Sequence, residues 1–243
     1  YNAGYTVLSR LVEVVSGTSF PEYVQQAVFE PLGIERVTFD TAVIEDTDAN
    51  AMTPYLPQET LQPTGLPDST FFAGPGGLLA ATPDIAQFLS AHITGELPFD
   101  AELAREMYEP VGTFQEFVDG TEWGYGYGWI SRPFGEGTLI GHAGGTGVSA
   151  GYIGFLQKQG LGVAVGCNSQ GSVERVAVEL LAKLTDVSPT DVLPEQAITE
   201  KANTVEGHYR SETALGTATV EWTGDQLEAA IETPLAGDRL ELH

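Results

Sequence analysis

A chain of 243 residues with 42% apolar content can bury one sizeable core and is too apolar to be disordered. Its 34 acidic residues against 10 basic ones give a net charge of −24, spread along the whole length, which argues against nucleic acid as a partner. No apolar run approaches the roughly 18 residues of a helical membrane span, and the opening YNAGYTVLSR lacks the basic-then-apolar pattern of a signal peptide.

Dispersed acidity of this size predicts a protein adapted to high salt, where molar ions screen carboxylate repulsion to about 3 Å. Whether such a protein is cytoplasmic or exported stays open, as does its oligomeric state. Cys167 is the only cysteine, so no internal disulfide can form. It sits in the apolar run GLGVAVGCNS and reads as a structural strand residue, because reactive thiols need a polar, basic setting.

In chain order, Val7, Leu8, Leu11, Val12 and Val15 recur at helical spacing, and Gly17 follows as a stop. A second helix is predicted past Pro21 through Val28, ended by Pro31 and Gly33. Residues 40–75 are poor in periodicity and read as a long loop, functional or mobile. Thr82 as cap and Pro83 at the first turn predict a helix with Ile85, Phe88 and Leu89 inward, ending before Gly95. Another is predicted over Ala101–Tyr108. From Trp123 to Asn168 the runs YGYGWI, TLIGHAGG, SAGYIGFL and GLGVAVGC read as consecutive antiparallel strands, with turns at Arg132–Gly137 and Gln157–Gly160. Val173, Val176, Ala177, Leu180, Leu181 and Leu184 then mark an amphipathic helix suited to covering the sheet.

These readings give an α+β protein in three parts. Residues 1–187 form the main domain, with a helical subdomain over 18–120. Residues 188–202 form a linker with Pro189 and Pro194. Residues 203–243 form an all-β module with turns at Gly216, Gly224–Asp225 and Gly237–Asp238, short enough to look truncated. No dinucleotide, phosphate-loop or zinc-helix motif is present, so neither cofactor nor metal is expected. Gly147-Val148-Ser149-Ala150-Gly151 matches a nucleophile elbow in letters. That elbow needs a strand before the serine and a helix straight after, and here the following YIGFL reads as strand. Arg132, Lys158, His92, His208 and His243 have no motif around them and are expected in solvent.

Several phrases, in order, resemble one family: YNAGYTVLSRLVEVVSG, FPEYVQQAVFEPLGIERVTF, AGPGGLLAATPDIAQFL, and GYGYGWI followed by GHAGGTG. The resemblance is to class C β-lactamases, D-alanyl-D-alanine carboxypeptidases and related penicillin-binding-protein-like esterases, over roughly residues 1–185. It implies an antiparallel sheet flanked by helices and hydrolysis of an ester, amide or lactam carbonyl in a small molecule or peptide. The family's catalytic serine and lysine belong to a Ser-x-x-Lys helix. No lysine here has a serine three places before it, so that motif is expected upstream of Tyr1 and this chain alone is expected to be inactive.

Aligned on Tyr5, the family's Tyr-x-Asn loop puts its asparagine at Asn2 and its tyrosine one place before Tyr1; the register in which Tyr1 is the catalytic tyrosine stays open. The strand motif takes its His-x-Gly form at His142-Ala143-Gly144. The resemblance makes Asn2 and His142 site residues, gives the Gly145 N–H half of an oxyanion hole, and has Gly144 admit the substrate backbone. The all-β tail resembles a small lipocalin-like module. A non-catalytic binding protein on the same scaffold is the alternative.

Overall fold

The computed structural model describes residues 1–42, 44, 50–56, 60–67, 73–117, 120–193, 207–210, 217–222, 227–233 and 236–242. It divides into two compact units, Tyr1–Val187 and Ser188–His243.

The first unit is built on a six-stranded antiparallel sheet. Its strands are β5 (Gly112–Glu116), β6 (Glu122–Tyr125), β7 (Ile130–Phe134), β8 (Gly137–Gly145), β9 (Ala150–Leu156) and β10 (Leu161–Cys167). They lie in the order β10-β9-β8-β7-β6-β5, a meander in which every neighbour is also the next in sequence. Four shorter strands, β1 (Val37–Thr38), β2 (Tyr55–Leu56), β3 (Gln62–Pro63) and β4 (Leu79–Ala80), pair as β1 with β4 and β2 with β3. The long loop expected over 40–75 thus carries the β2–β3 pair, and parts of it lie outside the described residues.

The helices are α1 (Asn2–Ser16), α2 (Phe20–Val24), α3 (Thr82–Thr94), α4 (Ala101–Tyr108) and α5 (Val173–Leu184). Gly17 and Gly95 end α1 and α3 in the left-handed conformation, at φ 74° and 75°, where a Cβ would be strained. α2 continues through a π turn, Gln25–Phe29, and a 3-10 turn to Gly33. The cap of α3 is Ala81 rather than Thr82, which is already helical. Asp100 caps α4 by accepting from the Glu102 N–H at 2.7 Å.

α3 packs on β9 and β10, where a Cβ on Gly162 would come within 3.1 Å of Ile93. α5 also packs on β9 and β10. Core residues Leu89, Tyr108, Trp129, Ile140 and Phe155 form one cluster.

Two apolar stripes differ from expectation. α5 buries Val173, Ala177, Val178, Leu181 and Ala182, and leaves Val176, Leu180 and Leu184 exposed. Its apolar arc is wider than the sheet can cover, so one flank faces solvent. α1 turns its stripe outward: Val7, Leu8, Leu11, Val14 and Val15 are exposed, while Tyr5, Ser9 and Val12 pack inward.

Two residues expected in solvent are buried. Arg132 lies at the centre of β7, because the turn is made later by Gly135 (φ 54°) and Glu136. It is 4% exposed, its Nη1 lies 3.1 Å from Glu174, and its guanidinium sits 4.5 Å over the Trp123 ring. Its Nη2 has no hydrogen-bond partner among the described residues. His92 is 2% exposed, one turn beyond Phe88 on the inward face of α3. Lys158 and His208 are exposed as expected, and His243 lies outside the described residues.

In the second unit β11 (Gly207–Arg210), β12 (Thr217–Trp222), β13 (Leu227–Thr233) and β14 (Ala236–Leu242) form an antiparallel meander. Gly237–Asp238 lies inside β14, so the turn expected there is not made by these two residues. The turns expected at Gly216 and Gly224–Asp225 lie outside the described residues. No described helix is long and apolar enough to cross a membrane.

Candidate active site

β8 outruns its neighbour on one side only. β7 pairs with it from Phe134↔Gly137 to Ile130↔Gly141, whereas β9 pairs with it up to Gly145↔Ala150. His142, Ala143, Gly144 and Gly145 therefore have a strand partner on the β9 side and none in β7. The hydrogen-bond phase of the β8–β9 pair follows from its turn, where the Thr146 N–H donates to the Ser149 carbonyl at 3.0 Å. Antiparallel pairs alternate between bonded and non-bonded. Gly144↔Gly151 and His142↔Ile153 are then the bonded pairs, while Ala143↔Tyr152 and Gly145↔Ala150 are not. The N–H groups of Ala143 and Gly145 consequently point away from β9, toward the open edge. Such amides are the donors an extended substrate or a developing oxyanion requires.

Gly144 is exposed, and a Cβ built on it would meet nothing within 4 Å. The sheet face above Gly144 is therefore open.

The half-buried His142 ring places Nδ1 2.6 Å from the Ala143 carbonyl oxygen. A carbonyl can only accept, so Nδ1 carries the proton and donates it. Neutral His142 then offers only a lone pair at Nε2.

Asn2 is the first residue of α1 and is exposed; the cap position is Tyr1, with no side-chain capping bond, so the Asn2 amide is not spent on the helix. Three residues on, the Tyr5 hydroxyl lies 3.3 Å from that of Tyr125 on β6. Tyr125 meets the His142 ring edge-on at 6.1 Å. This chain of contacts ties the start of α1 to the open end of β8. Burial, with the Tyr5 hydrogen bond second, pushes the Tyr125 hydroxyl above its ordinary value. Tyr125 carries no catalytic motif of its own, and its pairing with a residue 120 positions away leaves no local signal.

Ser149 does not join this group. It occupies the β8–β9 turn with its Oγ 2.8 Å from Thr146 Oγ1, and β9 follows directly. The helix that a nucleophile elbow requires is not there. His142 also lines a small, shallow cleft together with Arg132, Gly141, Ala143, Tyr152 and Glu174 among others. The Tyr152 ring lies across Gly141 and Gly154: a Cβ on Gly154 would fall 2.8 Å from it, and one on Gly141 would collide with its hydroxyl.

Comparison with known proteins gives one consistent answer. The β-lactamase family model matches residues 1–186. The octameric penicillin-binding protein homologue from Pyrococcus abyssi superposes with a TM-score of 0.77 at 29% identity, over 99% of this chain and 54% of that one. A class C β-lactamase superposes at 0.62 and 16% identity, over 75% of this chain and 56% of its own. The penicillin-binding protein from Bacillus halodurans superposes at 0.61 and 19% identity, over 76% and 54%. The chain thus spans about half the length of these structures. No curated protein sequence matches it. With the family model covering the whole sheet and the helices on it, the chain belongs to the β-lactamase family of serine hydrolases.

Proposed function

We propose that the full-length protein hydrolyses an ester, amide or lactam carbonyl through an acyl-serine, and that the serine and its lysine lie in a Ser-x-x-Lys helix outside residues 1–243. The observation that carries this reading is the open edge of β8, where the N–H groups of Ala143 and Gly145 point away from β9 beyond the last β7 pair, beside His142. In this reading the substrate carbonyl docks along that edge. Gly145 N–H holds the developing oxyanion, Gly144 leaves room for the substrate backbone, and Nε2 of His142 accepts a hydrogen bond from substrate or a reacting group. Asn2 supplies an amide toward the same space from α1.

The outward apolar stripe of α1 supports a further covering segment. A stripe of Val7, Leu8, Leu11, Val14 and Val15 in water is costly at roughly 25 cal/mol per Å² of apolar surface. The relatives' extra length supplies chain enough to cover it. We further read β11–β14 as part of a lipocalin-like module, on its consecutive antiparallel order.

The test is kcat/KM of the full-length protein on a panel of chromogenic esters, a β-lactam and a D-alanyl-D-alanine peptide, with His142→Ala and Asn2→Ala. Each substitution is expected to lower kcat/KM by about 10²-fold or more on whichever substrate is turned over. Unchanged rates in both would remove β8 and α1 from the site.

A further inference from the structure

The strand pair next to the open edge of β8 carries aromatic rings that hydrolysis itself does not use. Phe114 on β5 stacks on Tyr125 of β6, with centroids 5.9 Å apart and planes at 21°. Tyr125 then meets His142 edge-on. The three rings run in series from the sheet's last strand to the start of the open edge. Phe114 is the residue at which the β5–β6 register shifts, between Thr113↔Gly124 and Gln115↔Trp123. A bulge re-aims one side chain out of the strand's alternation, and bulges recur beside binding sites. Here it aims a phenyl ring that stays 49% exposed, on a strand whose five residues are all exposed. Val111 and Tyr127, flanking the same hairpin, are 66% and 57% exposed. The lower ring is fixed, because the Tyr125 hydroxyl is held by Tyr5 from α1.

We propose that the stacked pair Phe114–Tyr125 is a specificity platform that receives an aromatic or bulky aliphatic group of the substrate while its carbonyl lies along the open edge of β8. The proposal rests on the hydrolytic reading. Its continuity with His142 is what selects a substrate group as the occupant rather than a partner protein. An extended residue advances about 3.3 Å, so the ring spacings of 6.1 and 5.9 Å match a side chain about two to four residues along from His142, or a long acyl group. The platform is uncharged, the half-buried Tyr125 hydroxyl remaining protonated across the working range. In a chain of net charge −24 it offers apolar contact without electrostatic attraction for an acidic substrate.

The experiment compares an acetyl ester with a 4-phenylbutyryl ester of the same leaving group on the full-length protein. Phe114→Ala is expected to lower kcat/KM for the phenylbutyryl ester about 3- to 10-fold, mainly through KM, and to leave the acetyl ester unchanged. Phe114→Trp is expected to keep the preference. Phe114 is exposed on an edge strand, so folding is not at stake; should the alanine variant melt early, Phe114→Leu replaces it. An equal change on both esters, or none, overturns the platform and leaves the hydrolase standing. If the wild-type protein cleaves neither ester, ester hydrolysis is what fails, and amide and lactam hydrolysis are decided by the substrate panel above. The platform is then judged by saturation-transfer NMR with 4-phenylbutyramide, which needs no turnover. A transfer signal that disappears in Phe114→Ala upholds it. A signal missing in the wild type, or unchanged in the variant, refutes it.

Discussion

His92 gives the chain a built-in acid sensitivity. The imidazole lies among Phe88, Trp129 and Phe155, with centroids 4.5, 5.0 and 5.7 Å away, and Nδ1 bonded to the Tyr108 hydroxyl. Nε2 has no partner among the described residues. Burial lowers the pKa from 6.5 to about 4, since a charged ring there would be desolvated. The unfolded chain takes up a proton near pH 6.5 and the folded one only near 4. Stability from neutral His92 is therefore complete above about pH 6.5 and is lost as pH falls toward 4. A shift of this size corresponds to about 3 kcal/mol. His92→Phe keeps an aromatic ring and removes the titration, at a pH-independent cost of about 1 kcal/mol for the stranded Tyr108 hydroxyl. Urea unfolding followed by tryptophan fluorescence, at steps from pH 7.5 to 4, measures both proteins. Carboxylate protonation acts on both and cancels in the difference. Wild type is expected to lose about 3 kcal/mol relative to the variant between pH 6.5 and 4. Parallel curves would refute the burial argument.

The net charge of −24 predicts that the melting temperature climbs steadily from tens of millimolar to molar KCl, and a flat profile would remove the high-salt reading. His142→Lys replaces an imidazole whose Nδ1 proton is spent on the Ala143 carbonyl by a permanent cation. It should raise kcat/KM for a carboxylate-bearing substrate over a neutral ester by about 1–2 kcal/mol, read as their ratio. The same factor on both substrates would show that His142 does not face a substrate carboxylate. Gly141→Ala drives a methyl into Tyr152 and should destabilise the fold by about 1–3 kcal/mol in thermal melts, with an unchanged melt contradicting the described packing.

Much of this architecture is legible from local signals. The hairpins β7–β8 and β9–β10 carry β-rich runs between turn residues, and α4 is bounded as its pattern predicts. His142, Gly144 and Gly145 fall on one open edge because their motif sits at a strand end, where pairing with β7 stops. The departures have physical causes. β5 has no buried residue and a bulge, so it shows no alternation to read. Arg132 reads as part of a turn that Gly135 makes three residues later, and its burial depends on Glu174 and Trp123, distant in sequence or strand. His92 continues the Phe88–Leu89 stripe of α3 toward the core, and only its polarity argues for solvent. The α1 and α5 stripes show that periodicity locates an apolar face without saying what covers it.

The proposed nucleophile is a serine outside residues 1–243, served by the open edge of β8. Mass spectrometry after fluorophosphonate labelling of the full-length protein tests it directly. The account predicts a single adduct on the serine of an upstream Ser-x-x-Lys, none on residues 1–243, and slower labelling in His142→Ala. An adduct on Ser149, or no adduct on any serine, would contradict it.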